Sequence, residues 1–106
     1  MKIYCFGNQY VEQDSLALKL ADILKIPNIE LIKCQTIEPI LDADSPLYIM
    51  DQVKDIKEIT IITDVNKLKN RNTISCHDFD LQFFLKLLTK MNKIKEVVII
   101  GLPMQD

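Results

Sequence analysis

Five short apolar runs dominate the chain: KIYCF at 2–6, IELI at 29–32, PLYIM at 46–50, EITIIT at 58–63 and EVVIIG at 96–101. Each is too short for a stable helix and rich in strand-forming residues, so each reads as a strand. The last is apolar without interruption, the pattern of a strand buried on both faces of a sheet. Between the strands the period changes. From Asp14 to Lys25, Leu16, Leu20, Ile23 and Leu24 form an apolar helical face, and Ser15, Lys19 and Asp22 form a polar stripe. Asp14 suits the cap or first turn of this helix, and Pro27 and Asn28 stop it. A short turn of helix fits 36–41, around Pro39. A second long helix fits 78–91, with Leu81, Phe84, Leu85 and Leu88 on one side and Lys90 near its end.

The resulting order, β-α-β-(α)-β-β-α-β, predicts one α/β domain over residues 1–106. Its expected form is a three-layer sandwich: a mixed, mostly parallel five-stranded sheet with helices on both faces. The third and fourth strands lie too close in sequence for a parallel crossover. The fourth should therefore run antiparallel or sit at an edge.

The net charge of -2 and a pI of about 5.3 disfavour nucleic-acid binding, which wants a basic excess. The local group Lys67, Lys69 and Arg71 reads as a solvated loop. Cys5, Cys34 and Cys76 are odd in number and form no CxxC, so they fit free thiols in a reducing cytosol. The start leads straight into a strand and reads as lacking a signal peptide. No apolar run approaches the roughly 18 residues of a membrane span. The expected localisation is cytoplasmic.

In parallel α/β sheets ligands bind outside the carboxyl ends of the strands, where the strand order reverses. Three chemistry-bearing residues point to that rim. Asp14 follows the first strand after a seven-residue loop, Asp51 follows the third strand, and His77, the lone histidine, opens the second helix. Two carboxylates and an imidazole make an open divalent-metal donor set suited to nickel or zinc. Each also has a plainer reading: Asp14 as a helix cap, Asp51 as a turn residue, His77 as a polar helix start. Tyr10 and Val11 could wall a substrate groove or pack in the core. Cys76 lacks a base, because its neighbour His77 cannot face it on a helix. No GxSxG elbow is present.

The ordered motifs resemble the hydrogenase maturation endopeptidases, proteases that trim the C-terminal extension from the large subunit of nickel–iron hydrogenases. KIYCFGNQYVEQDSLALKLADIL is similar to that family's opening strand, Gly-Asn turn and acid before the first helix. LYIMD is similar to the strand ending in a second acid, TISCHDFDLQFFLKLL to the segment carrying a histidine, and KEVVIIGLP to the closing strand. Asp64 also ends a strand, but the family order selects Asp51. The chain departs at Gln13, where an acid is usual, and at Lys33, which takes the place of an acid after the second strand. It also closes soon after its last strand, and so reads as a short member.

The resemblance implies a phosphorylase/hydrolase-like fold and an aspartic-type endopeptidase with metal-dependent recognition. Asp14, Asp51 and His77 would be the metal ligands, and Asp14 and Asp51 the catalytic acids. Nickel would arrive with the substrate, the hydrogenase large-subunit precursor; cadmium or zinc could replace it in crystals. The alternative is a non-proteolytic nickel- or precursor-binding maturation module, which Gln13 and Lys33 would suit.

Overall fold

The computed structural model describes residues 1–41, 43, 45–53, 55–63, 90–91 and 96–104. Its centre is a five-stranded sheet of β1 (Lys2–Phe6), β2 (Glu30–Cys34), β3 (Leu47–Val53), β4 (Thr60–Ile62) and β5 (Val97–Pro103). The order across the sheet is β2-β1-β3-β5-β4. β1, β2, β3 and β5 run parallel, and β4 pairs antiparallel with β5 at the edge. This is the expected mixed, mostly parallel sheet, and the fourth strand is both antiparallel and at the edge. The reason is the short link after Val53: antiparallel strands can be joined by a few residues, parallel ones cannot.

Strand alternation sends neighbouring side chains to opposite faces and creates two apolar layers. On one face α1 (Leu16–Ile23) packs with Leu16, Ala17, Leu20 and Ala21 against Ile3, Cys5, Met50 and Leu102. On the other, Phe6, Cys34, Leu47, Ile49, Val53, Ile62, Val97 and Ile99 gather with Ile40. Ile40 comes from a 3₁₀ turn, Glu38–Ile40, where a short helical turn was expected. All but the last two residues of the helix expected over 78–91 lie outside the described residues.

Several boundaries and one helix face differ from the sequence reading. The helix starts at Leu16, not Asp14, because Glu12–Asp14 forms a separate 3₁₀ turn and Ser15, at φ −118 and ψ 4, is not helical. It ends at Ile23, whose side chain is 70% exposed. The large residues Ile23 and Leu24 were expected on the apolar face; both are exposed. The small residues Ala17 and Ala21 take their place, one turn apart, and let the helix approach the sheet. β3 continues through Asp51 to Val53, and β5 through Gly101 to Pro103. Their pairing, Asp51 with Gly101, Gln52 with Leu102 and Val53 with Pro103, overrides the local tendency of Asp and Gly to end strands. β2 likewise runs on through Lys33 and Cys34, which pair with Cys5 and Phe6. Among the described residues no helix is long and apolar enough to cross a membrane.

Candidate active site

The chain leaves β1, crosses to β2 on one side, then returns to β3 on the other side of β1. The strand order therefore reverses between β1 and β3, and the crevice outside their carboxyl ends is the place where such sheets bind ligands. The residues at that rim are unusual. Among the described residues, the buried polar side chains are Asp14, Ser15, Asp51 and Gln52. A protein interior excludes carboxylates unless something there requires them. All four belong to the junction between the end of β3 and the start of α1.

Asp14 is 1% exposed and sits at the close of a compact loop. Its carbonyl accepts the Asn8 N–H at 2.8 Å, and its own N–H donates to the Val11 carbonyl at 2.9 Å. The Asn8 side-chain oxygen accepts the Tyr10 N–H at 2.9 Å, forming an Asx turn. Gly7 makes the closure possible: a Cβ there would stand 2.6 Å from the Asp14 carbonyl oxygen. One of only two glycines in the chain thus marks the point where the loop returns against the end of β1. Ser15 occupies the helix cap position, and its hydroxyl donates to the Glu12 carbonyl at 3.0 Å rather than capping α1. The expected capping role of Asp14 is therefore corrected: the acid precedes the cap and lies in the 3₁₀ turn.

Asp51 is 6% exposed and lies within β3, not after it. Alternation sets it with Ile49 and Val53, on the face away from α1. Its Oδ1 accepts the Gln52 N–H at 2.8 Å. Carrying the β1–β3 register one step past Cys5 and Met50 sets Phe6, the last residue of β1, beside Asp51. The loop that begins immediately after Phe6 leads to Asp14. Both predicted acids thus stand at the carboxyl rim of neighbouring strands, at the switch point.

Gln52 escaped the sequence reading. Its side chain points to the α1 face, where Oε1 accepts the Leu16 N–H at 3.0 Å and Nε2 donates to the Pro103 carbonyl at 3.2 Å. One amide thus joins the first turn of α1, β3 and the end of β5, and fixes the frame that carries both acids. The available signal was a second polar residue in IMDQV, inside an otherwise apolar run.

The third predicted ligand, His77, lies outside the described residues, as do Cys76, Asp64 and the basic group Lys67, Lys69 and Arg71. Among the described residues no three His, Cys, Asp or Glu side chains form a metal site. Tyr10 and Val11 are exposed, Tyr10 at 85%, so core packing is not their role. Cys5 and Cys34 are buried free thiols on opposite faces of the sheet. Burial pushes Cys5 up to about 11; burial and then repulsion from Cys5 push Cys34 up to about 12. Neither can supply a thiolate near neutral pH, which removes both as nucleophiles.

Two solved structures share this architecture. The hydrogenase maturating endopeptidase HybD from E. coli superposes with a TM-score of 0.66 at 18% identity, covering 97% of this chain and 74% of that one. The [NiFe] hydrogenase maturation protease HybD from Thermococcus kodakarensis gives a TM-score of 0.61 at 20% identity, covering 99% and 86%. No family model matches the chain, and no curated protein matches it. The chain has the fold of these proteases over nearly its whole length, in line with the resemblance read from its motifs.

Proposed function

We propose that this chain is a hydrogenase maturation endopeptidase. It would remove a C-terminal extension from the nickel-loaded large-subunit precursor of a nickel–iron hydrogenase. The observation that carries this reading is the burial of Asp14 and Asp51 at the switch point of a fold shared with two such proteases.

The donor chemistry suits the role. Asp14 and Asp51 offer carboxylate oxygens, and His77 is the proposed nitrogen donor. An open set of this kind holds a divalent ion weakly by itself. It would complete a shell begun by the substrate, so a precursor without nickel loses the shared bond and binds poorly. Cleavage follows when water adds to the scissile carbonyl, one carboxylate takes the water's proton, and that proton passes to the departing amine. Gln52 keeps the two acids in position. The reaction belongs in a reducing cytosol, where Cys5 and Cys34 remain thiols.

Purified protein mixed with nickel-loaded precursor tests the reading by mass spectrometry. A lighter precursor supports it, and Asp14→Ala, Asp51→Ala and His77→Ala should each suppress the loss of mass. Unchanged processing by all three variants would falsify the assignment of the site. A stable complex with precursor at full mass would instead indicate the non-proteolytic binding module. The ground for that second reading is that Gln13 and Lys33 stand where the resembled family carries acids.

A further inference from the structure

The polar stripe of α1 does not face empty solvent. Ser15, Lys19 and Asp22 recur at helical spacing on one side of the helix, and all three line a cavity of about 230 Å³. The opposite wall is β2. Leu31 packs in the layer beneath α1, so alternation turns Lys33 to the same side; Gln35, just past the end of β2, lines the cavity with it. Gln9, from the loop that carries Asp14, closes it at the carboxyl end of the sheet. Lys33 Nζ meets Asp22 Oδ1 at 2.7 Å across the opening. Lys19 enters no ion pair among the described residues. The cavity therefore holds two ammonium groups against one carboxylate, with two amide side chains as further donors.

We propose that this cavity is a specificity subsite that takes an acidic side chain of the peptide substrate, next to the bond cut at the Asp14 and Asp51 rim. The peptide identity of the ligand rests on the peptidase reading above; the charge and shape of the cavity do not. The volume suits one side chain. Its wall includes Ser15, the residue after Asp14, so an extended peptide crossing the rim can lay a neighbouring side chain into it. A carboxylate entering between Lys19 and Lys33 balances the surplus cation and leaves the Asp22 contact intact, whereas a lysine adds a third ammonium. The plainer role of Lys33, a charge guarding the edge strand β2, leaves the matching stripe on α1 unexplained.

Titration of ¹⁵N-labelled protein with the peptide acetyl-Ala-Ala-Glu-Ala-Ala-amide, and with its Gln and Lys counterparts, tests the subsite. The Glu peptide should move the backbone amides of Gln9, Lys19, Lys33 and Gln35. It should bind about five-fold more tightly than the Gln peptide, the scale of a solvent-exposed ion pair. The Lys peptide should leave those amides in place. Lys19→Glu combined with Lys33→Glu should reverse the order. Equal response to Glu and Gln, or shifts elsewhere only, overturns the proposal. So does sodium glutamate or inorganic phosphate matching the Glu peptide, which would make the cavity a site for free anions. Processing of the precursor separates the two readings. Glu preference with an uncut precursor defeats the peptidase and keeps the subsite; a cut precursor without Glu preference defeats the subsite alone.

Discussion

The side-chain oxygen of Gln52 accepts the backbone N–H of Leu16 at 3.0 Å, across 36 residues of sequence. The first turn of a helix leaves backbone donors without partners, and here one of them is taken by a strand. The same amide reaches the carbonyl of Pro103. The loop carrying Asp14 and the strand carrying Asp51 are thereby held in one frame.

Replacing Gln52 with alanine removes both hydrogen bonds and leaves the Leu16 N–H without this partner. The expected loss is about 1–3 kcal/mol of stability by urea denaturation. Precursor processing should fall further than stability alone explains, because the two acids lose their common support. Gln52→Glu keeps the acceptor for Leu16 but turns a carboxylate oxygen on the Pro103 carbonyl and buries a second charge beside Asp51, so it should destabilise at least as much as alanine.

Gly7→Ala places a methyl group 2.6 Å from the Asp14 carbonyl oxygen, so the loop must shift. Overpacking of this kind costs about 1–3 kcal/mol. The measurement is the midpoint of thermal unfolding, followed by processing at a temperature where the variant is fully folded. Activity at the level of the parent protein would mean that Asp14 need not sit where the Gly7 closure puts it.

Nickel should raise the melting temperature of the protein if the proposed donors bind it. At a concentration ten times the dissociation constant the gain is about 1.4 kcal/mol. Asp14→Asn and Asp51→Asn preserve shape and remove charge, and each should flatten the response. A parent protein indifferent to nickel would favour an α/β protein whose acids have no metal role.

The buried thiols make alkaline pH destabilising. Burial raises their folded values to about 11 for Cys5 and about 12 for Cys34. Above the usual thiol range, the unfolded chain sheds these protons while the folded chain keeps them. Stability is therefore complete below roughly pH 8.5 and falls as pH rises through 11 to 12. At about 1.4 kcal/mol per pH unit, the fall is on the order of 3 kcal/mol from Cys5 and about 4 kcal/mol from Cys34. Cys5→Ala and Cys34→Ala should each make the alkaline limb of a pH–stability curve shallower; a curve unchanged by both would exclude the thiols as its source.

Local patterns decided the elements. Apolar runs at strand length, the helical period from Leu16, and the short link between the third and fourth strands were enough to imply an α/β sheet with an antiparallel edge. They also drew attention to Asp14 and Asp51, because acids beside strand ends are where such folds keep their chemistry. Side-chain periodicity is a property of neighbouring residues, so the sequence carries it without help. Partners distant in the chain decided the rest. β3 runs past Asp51 because β5 pairs with it. α1 turns Ala17 and Ala21 inward because close approach to the sheet outweighs the larger apolar area of Ile23. Gln52 gains its role only when Leu16 and Pro103 arrive beside it. The stripe Ser15, Lys19 and Asp22 was visible as polar, yet its cavity exists only once Lys33 faces it from β2. Contacts of that range depend on chain topology, which no local period encodes.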